Sequence, residues 1–223
     1  MVEPAEIIRS KRKTLALSID GTGRLIVRAP LRCGEEKIYQ FIREKEGWIL
    51  RKQAEKQNAG VELPSENLDG YELLLLGRKC KIQVLPIDKV GYDAERQRIY
   101  LPEKNPKERL IKWLKENAKR IFSSVSEQTA KKMGVSYKSV SITSARGRWG
   151  SCSHDNALRY TFRLLFAPKE VVEYVVVHEL AHVLHKNHSK AFWAMVEKYV
   201  PDWKEKRNWL HTHNALMKVL CRA

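Results

Sequence analysis

The sequence predicts an α+β fold, and three features of it carry that prediction. The first hundred residues alternate apolar and polar positions between turn residues, a long helix-spaced segment occupies the middle, and a group of short strand-like runs precedes apolar helices. Hydrophobic residues make up 43% and charged residues 30% of the 223, a globular balance with enough apolar surface to bury a core. At this length one large domain or two small ones are equally open. The stretch around Pro102 to Lys107 is the nearest thing to a boundary, dividing a β-rich part with one amphipathic helix, residues 1–103, from residues 104–223.

Taken in order, Thr14 to Ile19 (TLALSI) alternates, Gly21 to Gly23 reads as a tight turn, and Leu25 to Arg28 continues the hairpin. Glu35 to Gln57 sets Ile38, Phe41, Ile42, Ile49 and Leu50 near helical spacing, with Trp48 beside them. Between Tyr71 and Tyr100 the runs LLLLG, KIQVL and RIYL predict further strands. Lys104 to Lys132 predicts the longest helix, with Leu110, Trp113, Leu114, Ala118, Ile121, Phe122 and Val125 on one side; Asn105 caps it, Pro106 suits its first turn and Gly134 stops it. Strand-like segments follow at Ser139 to Thr143, Arg148 to Ser153 and Ala157 to Leu164, and then Pro168 opens a helix whose first turn carries Glu170.

Charge is unevenly distributed. Residues up to Glu103 hold 19 Lys and Arg against 16 Asp and Glu, whereas Lys104 to Ala223 hold 23 against 10, so the second part carries +13 of the net +16. Such a field favours anionic partners, nucleic acid among them, although a basic surface with no dedicated partner has the same composition. Cys33, Cys80, Cys152 and Cys221 form no close pair, which argues against a disulfide scaffold and for a reducing cytoplasm. No run approaches the ~18 apolar residues that span a bilayer, so no membrane association is expected.

The segment Val171 to His185, VVEYVVVHELAHVLH, contains His178-Glu179-x-x-His182. Its β-branched content would suit a strand, but it is too long for a buried strand and begins with a helix signal. On a helix, residues four apart stand one above the other, about 6 Å apart along the axis, and two imidazoles can share one ion. Glu179, turned by about 100°, reaches a water on that ion rather than competing as a ligand. On a strand the two histidines would stand about 13 Å apart and form no site. So apolar a helix is buried, and two histidines with a glutamate on a buried helix need partners that a shared Zn2+ supplies. The expected chemistry is hydrolysis, with Glu179 as the catalytic proton carrier.

A catalytic zinc site needs a third protein ligand, for which His185, His188, Glu197, His211 and His213 are candidates. His185 on a continued helix would lie about 10.5 Å beyond His178. His188 requires a turn, which Asn187 in a left-handed conformation and Ser189 as cap of a helix Lys190 to Tyr199 would provide. A third histidine ten residues after the first has metzincin spacing, but His185 stands where that motif has glycine, and no Met-turn is evident. Trp149 to Ser153 has the character of an edge strand to which a peptide could pair, with Arg148, Trp149 and Gly150 as substrate contacts; an aromatic there more often serves packing. Arg146 and Arg148 could hold phosphate or an oxyanion, though such arginines are commonly solvated. Cys152 reads as a small buried residue, His154 as a turn residue, and Asp202 with Glu205 as a capping box.

RWGSC at Arg148 to Cys152, YVVVHELAH at Tyr174 to His182 and NHSKAFW at Asn187 to Trp193 together resemble the YgjP-like family of zinc metallopeptidases, related in their catalytic half to SprT-like peptidases. LGRK at Leu76 to Lys79 and PDWKEKRNWL at Pro201 to Leu210 extend the likeness over the chain. The resemblance implies a minimal zincin-like catalytic domain over 104–223, Zn2+ held by His178, His182 and His188, and a protein or peptide substrate. Thr161-Phe162 departs from the Asn-Trp of relatives, in the strand rather than at the ligands. A UTP pyrophosphatase activity attached to some members makes nucleotide hydrolysis an alternative, although no Gly-rich phosphate loop is present. A non-catalytic nucleic-acid-binding zinc protein is the other.

Overall fold

The structure, a computed structural model, describes residues 2–20, 23–57 and 67–218. It is α+β, and it divides into two compact units, Met1–Val61 with His211–Leu216, and Glu62–Leu210 with Met217–Ala223. The expected boundary at 103/104 falls inside the second unit, because the strands before it pack into the same body as the helices after it.

In the first unit β1 (Glu6–Ser10), β2 (Ala16–Ile19) and β3 (Leu25–Pro30) form a sheet of order β1-β3-β2. β2 and β3 are the expected antiparallel pair, from Ala16 opposite Arg28 to Ile19 opposite Leu25. Gly21 and Thr22 of the expected turn lie outside the described residues. Asp20 secures the turn's base by accepting the Arg24 backbone N–H and its Nε–H. β1, which runs parallel to β3, was not expected: EIIRS is too short to show a period. Leu25, Val27 and Ala29 point from β3 onto Ile38, Ile42 and Ile49. The single helix expected over 35–57 is two, α1 (Glu35–Glu44) and α2 (Glu46–Gln57), parted where Lys45 leaves helical geometry (φ −107°, ψ 9°). That break re-aims the second helix, so Leu50 is 54% exposed rather than part of the apolar face.

In the second unit β4 (Glu72–Leu75), β5 (Arg78–Leu85), β6 (Gly91–Asp93) and β7 (Arg98–Pro102) form a sheet of order β4-β5-β7-β6. The turn between β4 and β5 uses Leu76 and Gly77, both at positive φ. The Leu76 N–H bonds the carbonyl of Leu165, and a methyl group on Gly77 would stand 3.2 Å from the Pro168 Cα, so this turn is fitted against the start of the site-bearing helix. α3 (Pro106–Met133) begins at Asn105, which is left-handed and gives no side-chain cap, and ends at Gly134 (φ 67°). Its buried stripe is Leu110, Leu114, Ala118, Phe122, Ser126, Ala130 and Met133; Trp113, Ile121 and Val125 flank it, half-buried.

A second sheet, β8 (Ser139–Thr143), β9 (Gly150–Cys152) and β10 (Ala157–Thr161), has the order β8-β10-β9, which leaves β9 at an edge. The chain then forms a buried 3-10 turn, Phe162–Phe166, where strand had been expected to continue to Leu164. α4 (Lys169–Leu184), α5 (Lys190–Tyr199) and α6 (Trp203–Thr212) follow, and a 3-10 turn, Asn214–Lys218, ends the described residues. α3 packs on β8 and α4, with the Phe122 and Tyr160 rings 5.6 Å apart and the Tyr160 hydroxyl 3.2 Å from Ser126 Oγ. Among the described residues no helix is long and apolar enough to cross a membrane, and Cys33, Cys80 and Cys152 are free thiols. Cys221 lies outside the described residues.

Phe122 fills the contact between α3 and β10 and is fully buried. Phe122→Ala is expected to destabilise the protein by about 3–5 kcal/mol, read from urea unfolding with an unchanged m-value.

Candidate metal centre and active site

α4 forms despite its valines because it is surrounded. Val171, Val172, Tyr174, Val175, Val176, Val177, Leu180 and Ala181 are all buried, and α3, α5 and β9 pack against it. Apart from the exposed Lys169, Glu170 and Glu173 near its start, and Leu184 at its end, this is a core helix, and burial outweighs the small helix penalty of β-branched residues. Its polar exceptions therefore stand out: Glu179 is 5% exposed, and His178 and His182 are half-buried.

The chain leaves α4 at His185, which is extended (φ −123°, ψ 97°). Asn187 is not left-handed; the reversal is made by the extended His185 followed by a bend at Lys186 and Asn187. Ser189 does cap α5, its Oγ accepting the Phe192 N–H. Lys186 pins the reversal to the β9–β10 turn, its ammonium donating to the Ser153 carbonyl at 3.2 Å and to Asn156 Oδ1 at 2.5 Å.

That turn returns His188 to α4. His178 Nε2 and His188 Nε2 stand 3.1 Å apart, and the nitrogens that His178, His182 and His188 offer all lie within 4.8 Å of one another. Two nitrogens bound to one tetrahedral zinc at 2.0–2.1 Å would be about 3.3 Å apart, so the His178–His188 pair has the spacing of a shared ion and His182 stands close enough to join it. His182 Nδ1 lies 2.9 Å from the His185 carbonyl oxygen, which assigns the proton to Nδ1 and leaves Nε2 free as a ligand. His178 Nδ1 is buried without a hydrogen-bond partner among the described residues. Burial pushes the His178 pKa down to about 3, helped by the neighbouring imidazoles and Arg207, and burial likewise lowers that of His182. Both are neutral at pH 7, the form a metal requires.

Glu179 lies beside this group under β9. A methyl group on Gly150 would fall 2.7 Å from Glu179 Oε1 and 2.8 Å from its Cγ. The absence of a side chain at Gly150 thus makes room for Glu179, where the sequence reading had that space admit a substrate. Burial raises the Glu179 pKa to about 8, against the pull of Arg148.

Of the other candidates, His185 contributes its carbonyl, Glu197 is exposed on α5, and His211 and His213 belong to the first compact unit. Arg146 and Arg148 are exposed, Trp149 is half-buried rather than core, and burial raises the Cys152 pKa, as befits an unactivated thiol. The sequence reading missed an aromatic wall behind the histidines. The Phe192 ring lies 4.5–4.9 Å from all three, and Trp193 stacks on His188 at 5.6 Å and on Trp203 at 4.1 Å. The Arg207 guanidinium lies 5.3 Å over Trp193. Phe192 and Trp193 sit in the first turn after the Ser189 cap, a placement that was available as a signal.

An α+β body with three imidazoles facing one point and a buried carboxyl beside them is the arrangement of a metal-centred hydrolase. The family described as YgjP-like, metallopeptidase domain, matches residues 13–213, and the chain belongs to that family. Among solved structures, the metallopeptidase zymogen of Pyrococcus abyssi abylysin is similar at 24% identity over 40% of this chain and 90% of its own, with a TM-score of 0.38. The metallopeptidase zymogen of Methanocaldococcus jannaschii jannalysin is similar at 18% identity over 39% and 89%, with a TM-score of 0.35. No curated protein matches the chain.

Gly150→Ala is expected to displace the Glu179 carboxyl while leaving the histidines in place, so metal content holds and hydrolysis falls at least tenfold. A second expectation concerns pH. Because the Glu179 pKa is raised from 4.5 to about 8, the metal-free protein loses stability as pH rises across that window. Glu179→Gln removes this term, and its stability relative to wild type should rise by up to about 1.4 kcal/mol per pH unit between those limits. The His178 contribution, lost as pH falls toward 3, is common to both proteins and cancels. Urea unfolding of chelator-treated protein at pH 5.5 and 8 checks the sign.

Proposed function

We propose that the protein is a zinc-dependent metallopeptidase in which His178, His182 and His188 hold the ion and Glu179 is the catalytic base. The observation that carries this reading is the convergence of three histidine nitrogens within 4.8 Å, with the Glu179 carboxyl buried alongside. Zn2+ bound there supplies Lewis acidity to a peptide carbonyl and makes water a nucleophile at neutral pH. Glu179 takes the proton from the attacking water and delivers it to the leaving amine nitrogen. The positive charge of Arg148 favours the carboxylate form that this first transfer requires. The free edge of β9 offers its backbone to an extended substrate, which would run past Trp149 and Gly150. Free thiols fit a cytoplasmic setting.

A second reading has one observation in its favour. A cleft of about 810 Å³ between α3 and the segment after β8 gathers Lys107, Lys112, Lys115, Arg146 and Arg163 against Glu108 and Glu116. It would suit a nucleotide for pyrophosphate hydrolysis, or nucleic acid that brings bound protein substrates to the site or is simply held without catalysis.

Casein and UTP hydrolysis measured in parallel separate these readings. Glu179→Gln should retain wild-type zinc content and lose at least 100-fold in casein cleavage, with no pyrophosphate released from UTP by either protein. His188→Ala should lower zinc affinity. Casein cleavage retained by zinc-loaded Glu179→Gln removes Glu179 from the mechanism.

A further inference from the structure

The sheet β8-β10-β9 presents different chemistry on its two faces. Leu158 and Tyr160 point into the core, and Gly150, paired with Tyr160, lies over Glu179. Arg159 alternates to the opposite face, standing between Ser151 of β9 and Ser141 of β8. On that face a pocket of about 270 Å³ is lined by Arg148, Arg159, Ser151 and the threonines Thr143 and Thr161, with no carboxylate among its lining residues. Neither guanidinium has a hydrogen-bond or ion-pair partner among the described residues. The threonine hydroxyls are engaged by backbone carbonyls, which leaves the arginines as the pocket's charged groups with the Ser151 hydroxyl beside them.

We propose that Arg148 and Arg159 form a subsite for an acidic side chain of the substrate, within two residues of the cleaved bond. The inference rests on the peptidase reading and on strand addition at β9. A peptide paired to that edge alternates its side chains. Those on the Gly150 side face Glu179 and the histidines, and their neighbours face Ser151 and Arg159. Arg159 is one strand in from the edge, so a paired substrate backbone stands about two strand spacings, ~10 Å, from its own, a gap that an extended arginine and glutamate span together. A guanidinium fork matches a carboxylate with two parallel hydrogen bonds, and a lysine side chain in the same place meets two like charges. The pocket lies beside the β9 edge, where an extended peptide backbone can pair, which favours a peptide over a nucleic acid strand.

The test compares quenched peptides carrying Glu, Ala or Lys at each position within two residues of the cleaved bond, using zinc-loaded full-length protein. Wild type is expected to prefer Glu over Lys at least tenfold in kcat/KM at one position. Arg159→Glu should cut that ratio at least tenfold and Arg159→Gln by less. Arg120→Glu, the same charge change on the exposed side of α3, should keep the wild-type ratio. Cleavage of all peptides without ranking by charge, or an equal fall in the Arg159→Glu and Arg120→Glu variants, overturns the subsite alone. Cleavage of none by wild type overturns the peptidase reading and the subsite with it. Loss of single-stranded oligonucleotide binding in Arg159→Glu, with the peptide ranking unchanged, gives the pocket to nucleic acid and also overturns the subsite.

Discussion

The burial of α4 is the constraint on which the rest of the site depends. From Val171 to Ala181 its valines, leucine and alanine are buried, which fixes the depth and rotation of the helix. The two histidines and Glu179 inherit that fixed placement. The same enclosure removes water from the imidazoles, keeps them uncharged and holds their nitrogens open for an ion. Around α4 the other parts read as supports. α3 and β10 form the floor, the turn at Gly77 is fitted to Pro168 where the helix begins, and Gly150 lets β9 close down on the carboxyl.

His188 has a different kind of support. It is exposed and lies on a connection, where side chains usually sample many rotamers. Its position depends on four local devices: the extended exit at His185, the Lys186 anchors, the Ser189 cap, and the Trp193 face backed by Trp203. The His185 carbonyl also orients His182, so the residue that ends the helix aligns one histidine as it redirects the chain toward another. Two of the three histidines are thus held by a core and one by a stack of aromatic rings.

What could be read from the sequence follows the range of the forces involved. β2, β3, α3, β8 and α5 were legible because each carries its own period or cap within a few residues, and the His178-Glu179-x-x-His182 helix was legible because its spacing has chemical meaning only on a helix. β1 was not, since five residues show no period until β3 lies beside them. The helix break at Lys45 was missed because no proline marks it and Gly47, two residues on, is tolerated inside a helical pattern; the exposure of Leu50 shows its effect. At the site, His188 could be placed by a required reversal, but the reversal was assigned to a left-handed Asn187 when an extended His185 and a bend at Lys186 and Asn187 perform it. Family membership follows from local motifs. The packing of Gly150 on Glu179 joins residues 29 apart and has no local signature.

That packing also decides what Gly150 is for. A glycine in an edge strand next to a catalytic helix suits two purposes, admitting a substrate backbone or admitting a side chain from beneath, and the two differ in which side of the strand lacks room. Here the missing Cβ points at Glu179 at less than any ordinary contact distance, so the inner side of β9 is already filled by the protein's own carboxyl. The hydrogen-bonding edge of β9 stays free, because its partner β10 occupies only the other edge. The free edge and the carboxyl beneath it are thus separated by a single residue, and their distance is set by one strand-to-helix contact, without a flexible loop between them.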